Sequence, residues 1–314
     1  MYKIGIDLGG TNIAAGIVDE NNKIIRKMSV RTFPERGAEK VTESMGLLCR
    51  DLIAAEGISI DEIECAGIAC PGSVDPENGV IVYANNIPFR DFPICDTLRK
   101  WFPVKSVRLE NDANAAALGE AVAGAAKGTK ISVMVTLGTG VGGGIIIDNK
   151  VYSGFNYAGG ELGHIVIVHD GCQCTCGRKG CFEAYSSATA LVRMTKEKLA
   201  ETKDTVMWDY IGGDIDKADA IIAFKAMKAG DKAGKEVVDM YISYLACGLT
   251  NIINIFQPEV LSIGGGVCNE KDYLLLPLLE IIGREQYTRN SKKKTTVRIA
   301  SLGNDAGIIG AACC

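Results

Sequence analysis

Tyr2-Lys3-Ile4-Gly5-Ile6-Asp7-Leu8-Gly9-Gly10-Thr11-Asn12-Ile13-Ala14-Ala15-Gly16-Ile17-Val18 opens the chain. It reads as a strand, a glycine turn and a second strand. Asp19-Glu20-Asn21-Asn22 is a polar hairpin turn, and Lys23 to Val30 returns as a third strand. The frame recurs at mid-chain. Ser132 to Leu137 is a strand, Gly138-Thr139-Gly140-Val141-Gly142-Gly143-Gly144 is the turn, and Ile145-Ile146-Ile147 starts the next strand. In both copies eleven positions separate the leucine before the turn (Leu8, Leu137) from the aspartate of the hairpin (Asp19, Asp148). Such a duplication predicts two like α/β domains, each offering a glycine hairpin to one ligand held between them.

A turn between strands needs glycine where φ is positive or where a ligand touches the backbone. Its N–H groups make a nest for anions. Asp7 adds a carboxylate at the strand end, which suits a Mg²⁺ ion held through water, and Thr11 and Asn12 add polar groups beside it. A third glycine cluster, Gly264-Gly265-Gly266, follows the short buried strand Val260 to Ile263. No Gly-Lys-Ser/Thr follows any of these turns, so none is a Walker A loop. The second turn runs into a strand rather than a helix, which disfavours a dinucleotide fold.

With 314 residues, 47% of them apolar, the chain can bury two domain cores. Helical spacing marks Val41, Met45, Leu48, Leu52 and Ile53, then the stretches Ala218 to Ala229, Val237 to Phe256, Asp272 to Ile282 and Asp305 to Ala312. Glu64 to Ala69 and Thr296 to Ala300 read as strands. The domain boundary is expected near Ala117, giving a first domain of 1–117 joined by the last helix, 303–314, and a larger one of 118–302. A net charge of −4 without a long basic run excludes binding of nucleic acid by bulk charge. Lys292-Lys293-Lys294 reads as a solvated loop. No apolar window reaches the ~18 residues of a membrane span, and the start is strand-like rather than a signal peptide, so a cytosolic protein is expected. Twelve cysteines would then stay reduced. Cys49, Cys65, Cys70, Cys95, Cys247 and Cys268 read as small core residues; four more crowd into Cys172 to Cys181.

Together these turns and the cysteine segment resemble the ROK family of sugar kinases and repressors, within the actin/hexokinase-like superfamily. The resemblance runs nearly end to end. It includes Pro71-Gly72, Asn85-Asn86-Ile87, Glu110-Asn111-Asp112-Ala113-Asn114-Ala115-Ala116, Gly160-Glu161-Leu162-Gly163-His164, Cys174-Thr175-Cys176-Gly177-Arg178-Lys179-Gly180-Cys181-Phe182-Glu183, Pro258-Glu259-Val260 and Asp305-Ala306-Gly307. The cysteine segment is its most specific signal.

The resemblance implies two actin-like (ribonuclease H-like) domains, each a mixed sheet flanked by helices, with ATP and a sugar in the cleft. Asp7, Gly9, Gly10, Thr11 and Asn12 would hold phosphate and Mg²⁺, as would Thr136, Gly138, Thr139 and Gly140. Gly264, Gly265 and Gly266 would sit beside adenosine. From the residues alone Asp112 reads as a helix cap; the resemblance makes it the base for the attacking hydroxyl. Gly72, Asn86, Asn111, Glu161, His164 and Glu183 match the family's sugar contacts. His164, Cys174, Cys176 and Cys181 form a Cys₃His set that suits structural Zn²⁺. A disulfide would leave His164 without a role. Cys172 lies outside the family's spacing, and His169 reads as a surface residue. The implied activity is phosphoryl transfer to a hexose, the 6-OH of glucose ahead of N-acetylglucosamine, N-acetylmannosamine, allose or fructose. A non-catalytic sugar sensor is disfavoured by the presence of Asp112 and by the position of Asp7 near the start. A homodimer is expected.

Overall fold

A computed structural model of the chain describes residues 1–84 and 87–314. Asn86, one of the expected sugar contacts, lies outside the described residues. In chain order the elements are β1 (Tyr2–Leu8), β2 (Asn12–Val18), β3 (Ile24–Arg31), α1 (Ala38–Glu56), β4 (Ile63–Cys70), β5 (Ser73–Asp75), β6 (Val80–Tyr83), β7 (Arg90–Phe92), α2 (Ile94–Trp101), β8 (Val107–Asn111) and α3 (Asp112–Val122). There follow β9 (Ile131–Leu137), β10 (Val141–Ile147), β11 (Lys150–Val151), α4 (Glu183–Ser186), α5 (Ala188–Glu201), α6 (Met207–Tyr210), α7 (Ile222–Lys228), α8 (Lys232–Phe256), β12 (Val260–Gly264), α9 (Asp272–Glu285), β13 (Thr296–Ile299) and α10 (Asp305–Cys313). The fold is α/β with mixed sheets.

Packing groups the chain into two compact units. The first holds 1–134, 144–160 and 300–314, and the second holds 135–143 and 161–299. In the first, the sheet order is β3-β2-β1-β4-β8. β1 pairs antiparallel with β2, Leu8 opposite Ile13, and parallel with β4, Asp7 opposite Ala69. One face buries Ile4, Ile6, Leu8 and Ile13 with Met45, Leu48 and Leu52 of α1. The other face takes α10 at backbone distance. A Cβ on Gly5 would lie 1.8 Å from the Ile308 carbonyl oxygen, and one on Gly67 1.6 Å from that of Ala311. Only glycine permits that approach. The boundary expected near Ala117 falls inside α3, and packing keeps α3 with the first unit because α10 lies against it, Gly119 facing the Ala306 carbonyl.

Glu120, fully buried near the end of α3, was not singled out by the sequence. Its carboxylate accepts the N–H groups of Ala125 (2.6 Å), Ser301 (2.9 Å) and Leu302 (2.7 Å) and the Ser301 hydroxyl (3.3 Å). A buried carboxylate is tolerated only with such donors, and these tie α3 to the segment that leads into α10.

The second sheet has the order β11-β10-β9-β12-β13, and β9 and β10 carry residues of both units. In the second unit β12 runs parallel to β13, and α8 packs against α5, α7 and α9. The Tyr241 hydroxyl donates to the Ser186 carbonyl at 2.7 Å inside that core. Two helix starts differ from the expected ones. α8 begins five residues before Val237, at Lys232, because Asp231 caps it by accepting the Gly234 N–H at 2.7 Å. The helix expected from Ala218 begins at Ile222, because the Asp219 side chain takes the N–H groups of Ile221 and Ile222. Of the cysteines expected in the core, Cys247 is only half-buried; the other five are buried. Lys292, Lys293 and Lys294 are exposed. No helix among the described residues is long and apolar enough to cross a membrane.

Candidate functional site

The first unit gathers its polar groups at the C-terminal ends of β1, β4 and β8. Asp7 is the penultimate residue of β1, and Asp112 follows β8 as the first residue of α3. The cap of α3 is Asn111, not Asp112. The Asn111 Oδ1 accepts from Ala113 N (2.9 Å) and Asn114 N (3.2 Å), while its Nδ2 donates to the Gly72 carbonyl at 3.1 Å. Asp112 Oδ1 accepts the Ala113 N–H at 2.8 Å. Glu110, buried just before, accepts from Asn111 N and from Asn114 Nδ2 and so fixes the strand–helix junction. The capping duty falls to Asn111 because its side chain reaches back over the first turn of the helix.

Burial and the neighbouring Asp112 push the Asp7 carboxyl up to about 6. Burial also raises Asp112, partly offset by its hydrogen bonds to the Ala113 N–H and Asn111. Two acids that each disfavour ionisation make a place where a divalent cation would relieve both. Thr11 and Asn12 are exposed on the turn beside them. The turn is closed by Gly9 N–H to Asn12 O at 3.0 Å and strapped by the Thr32 hydroxyl, which donates to Gly9 O at 2.7 Å.

In the second unit several segments converge on the other glycine turn. Gly138 N–H donates to Gly140 O at 3.0 Å, and the Thr189 hydroxyl straps the turn at Thr139 O, 2.8 Å away. Gly265, at φ 96°, lies against Leu137; a Cβ there would stand 2.2 Å from the Leu137 carbonyl oxygen. The triplet at Gly264 to Gly266 is thereby brought beside the end of β9. Gly163 packs as tightly on the Val141 carbonyl. That contact carries the segment of Glu161, exposed, and His164 up to the turn.

The ligand atoms of His164, Cys174, Cys176 and Cys181 all lie within 4.8 Å of one another. Cys174 Sγ is 3.7 Å from His164 Nδ1, and Cys176 Sγ is 3.7 Å from Cys181 Sγ. Zn–S bonds of about 2.3 Å in a tetrahedron set sulfurs about 3.8 Å apart, so the four donors fit zinc. A disulfide would need the sulfurs about 2.05 Å apart. Gly177 and Gly180, both at positive φ (90° and 78°), turn the loop around them. His164 Nδ1 faces Cys174 Sγ, which leaves Nε2 for another partner. Cys172 stands outside the cluster, its N–H on the Tyr185 hydroxyl at 2.7 Å. The His169 side chain is 94% exposed.

Glu183, the first residue of α4, is oriented in a way the sequence did not reveal. Its Oε2 accepts the Val141 N–H at 3.0 Å, and its Oε1 accepts the Thr175 hydroxyl at 3.1 Å and faces Cys174 Sγ at 3.7 Å. One carboxylate thus links the cysteine loop to the second glycine turn.

This architecture is that of the actin-like sugar-kinase class. The ROK family model matches residues 3–314, and the chain belongs to the ROK family. It is 38% identical over 311 residues to a glucokinase of Thermotoga maritima, covering 98% of this chain and 95% of that protein. A ROK hexokinase from Thermus thermophilus superposes with a TM-score of 0.85 at 35% identity, over 99% of this chain and 97% of the other. A ROK glucokinase from Streptomyces griseus, solved with glucose and AMPPNP, gives a TM-score of 0.79 at 34% identity, over 99% and 98%.

Proposed function

We propose that the chain is an ATP-dependent hexose kinase that phosphorylates the 6-hydroxyl of glucose, with Asp112 as the base. The observation that carries this reading is the position of Asp112 at the β8–α3 junction, where it is not the helix cap. Asn111 caps α3, so the Asp112 carboxyl is not consumed as a cap. Burial raises its affinity for a proton, which suits an acceptor that works late in the transfer.

In the proposed reaction the sugar oxygen attacks the γ-phosphorus and the bond from that phosphorus to the ADP oxygen breaks. The hydroxyl proton passes to Asp112, and ADP leaves. The residues proposed to contact the sugar are Gly72, Asn86, Asn111, Glu161, His164 and Glu183. The turn at Gly138 to Gly140 offers backbone N–H groups to phosphate, and Gly264 to Gly266 flank the adenosine. Mg²⁺ held near Asp7 would neutralise charge on the phosphates. Zinc in the His164–Cys181 cluster would be structural, since four protein ligands leave no open position. Glucose as the first sugar rests on the glucokinases among the relatives.

We place the protein in the cytosol, where ATP is available and the thiols stay reduced. We also propose a homodimer, supported by the exposed apolar side chains of Tyr273, Leu276 and Leu279 on α9 and Met240 on α8.

An assay of ADP release over glucose, the N-acetylhexosamines, allose and fructose tests the reading, and glucose is expected to give the highest kcat/KM. Equal rates with every sugar, or none, would defeat it. Asp112→Asn should keep glucose binding and lose about 10²–10⁴-fold in kcat. A variant that keeps a tenth of the rate would remove Asp112 from the role.

A further inference from the structure

We infer that Glu183 gates the second glycine turn: its carboxylate occupies an anion-binding N–H of that turn until a sugar draws it away. This rests on the proposed sugar-kinase reading. The turn is a nest for anions, and in this structure the anion on it is the protein's own. Glu183 Oε2 takes the Val141 N–H at 3.0 Å and stands 2.3 Å from where a Cβ on Gly140 would be. A phosphate arriving at the Gly138–Val141 backbone would meet that negative charge at close range, and the two cannot share the donor.

The carboxylate is also held in place. Thr175, on the cysteine loop, donates to Oε1 at 3.1 Å. The grip therefore comes from the cysteine loop, and His164 Nδ1 sits 3.7 Å from Cys174 Sγ of that loop. A sugar bound at Glu161 and His164 offers hydroxyl donors that can replace the Val141 N–H as the partner of Glu183. Once Glu183 turns to the sugar, the turn is open to phosphate. Sugar and nucleotide then favour each other's binding, by the same factor in both directions. In the absence of sugar the nest stays shut, which limits transfer of phosphate to water.

The test is calorimetric titration of Mg·ADP into the zinc-loaded protein, with and without glucose, zinc content being measured for every variant. For the wild type, glucose should tighten ADP by about tenfold. Glu183→Gln keeps the shape and loses the charge. Without glucose it should bind ADP about as tightly as the wild type does with glucose, and glucose should no longer alter that affinity. Thr175→Val removes one tether and leaves the carboxylate, so it should shift sugar-free ADP affinity the same way by about twofold to threefold. If Glu183→Gln loses zinc, the Thr175→Val result decides. Sugar-free ADP affinity identical to wild type in both zinc-loaded variants, or in Thr175→Val alone where only it keeps zinc, overturns the gate. The sugar-free measurements need no turnover, so they stand even if the sugar panel defeats the kinase reading.

Discussion

The two glycine turns share one frame and differ in how the neighbouring carboxylates meet them. The turn after Leu8 lies beside two half-buried acids, Asp7 and Asp112, the first pushed up to about 6 by burial and by the second. The turn after Leu137 has Thr136 where the other has Asp7, and the carboxylate beside it, Glu183, is hydrogen-bonded to the turn itself. The first place is short of positive charge; the second already holds an anion. Their closures differ too. Gly9 bonds to the carbonyl three residues on, Gly138 to the one two residues on. A duplicated hairpin thus supplies the same backbone twice, and the side chains arriving from elsewhere decide whether its N–H groups are already taken.

The strongest way to break this contrast is Asp7→Asn. If Asp7 serves a cation, kcat with Mg·ATP should fall by about 10²-fold or more. Stability should move the opposite way. Asp7 has a folded pKa of about 6 against an ordinary 3.8. Its contribution is therefore fully present below about pH 3.8 and is lost as pH rises through about 6. In Mg²⁺-free buffer at pH 7, Asp7→Asn should melt higher than the wild type, by about 3 °C, and the gap should close at pH 4. A variant that melts lower at pH 7 would remove the buried-charge argument.

Metal removal probes the second region alone. Metal analysis should find about one zinc per chain, and a chelator should lower the melting temperature by about 5–10 °C and weaken glucose binding. Zinc-free protein with full activity would contradict the assignment. The smallest effect compares the turns directly. A Cβ on Gly9 meets the Asn12 backbone oxygen at 2.9 Å, whereas one on Gly140 meets the end of the Glu183 side chain. Backbone cannot move aside and a side chain can. Gly9→Ala should therefore cost about 1–2 kcal/mol and Gly140→Ala less than about 1 kcal/mol, read by chemical denaturation. The reverse order would show that Glu183 is held more rigidly than the turn.

Much of this was legible in the sequence because it is local. Strand, turn and strand follow from apolar runs around glycine, and β1, β2, β9 and β10 lie where those runs predict. The Cys174, Cys176 and Cys181 spacing put three cysteines in one loop, and the fold sets His164, already grouped with them, at ligand distance. The helix starts at Lys232 and Ile222 were misjudged because a single capping aspartate moves a boundary without changing the apolar period.

By itself the sequence determined the two hairpins, their common frame, the cysteine loop and the acid after β8, since each depends on neighbours a few residues away. Only the tertiary structure decided that Asn111 rather than Asp112 caps α3, that Glu120 gathers Ser301 and Leu302, that Gly265 lies on Leu137, and that Glu183 turns to Val141. Except for the cap, these contacts join segments tens to hundreds of residues apart. A hydrogen bond across such a distance leaves no periodicity in the chain, because the partner is set by how the sheets and helices pack.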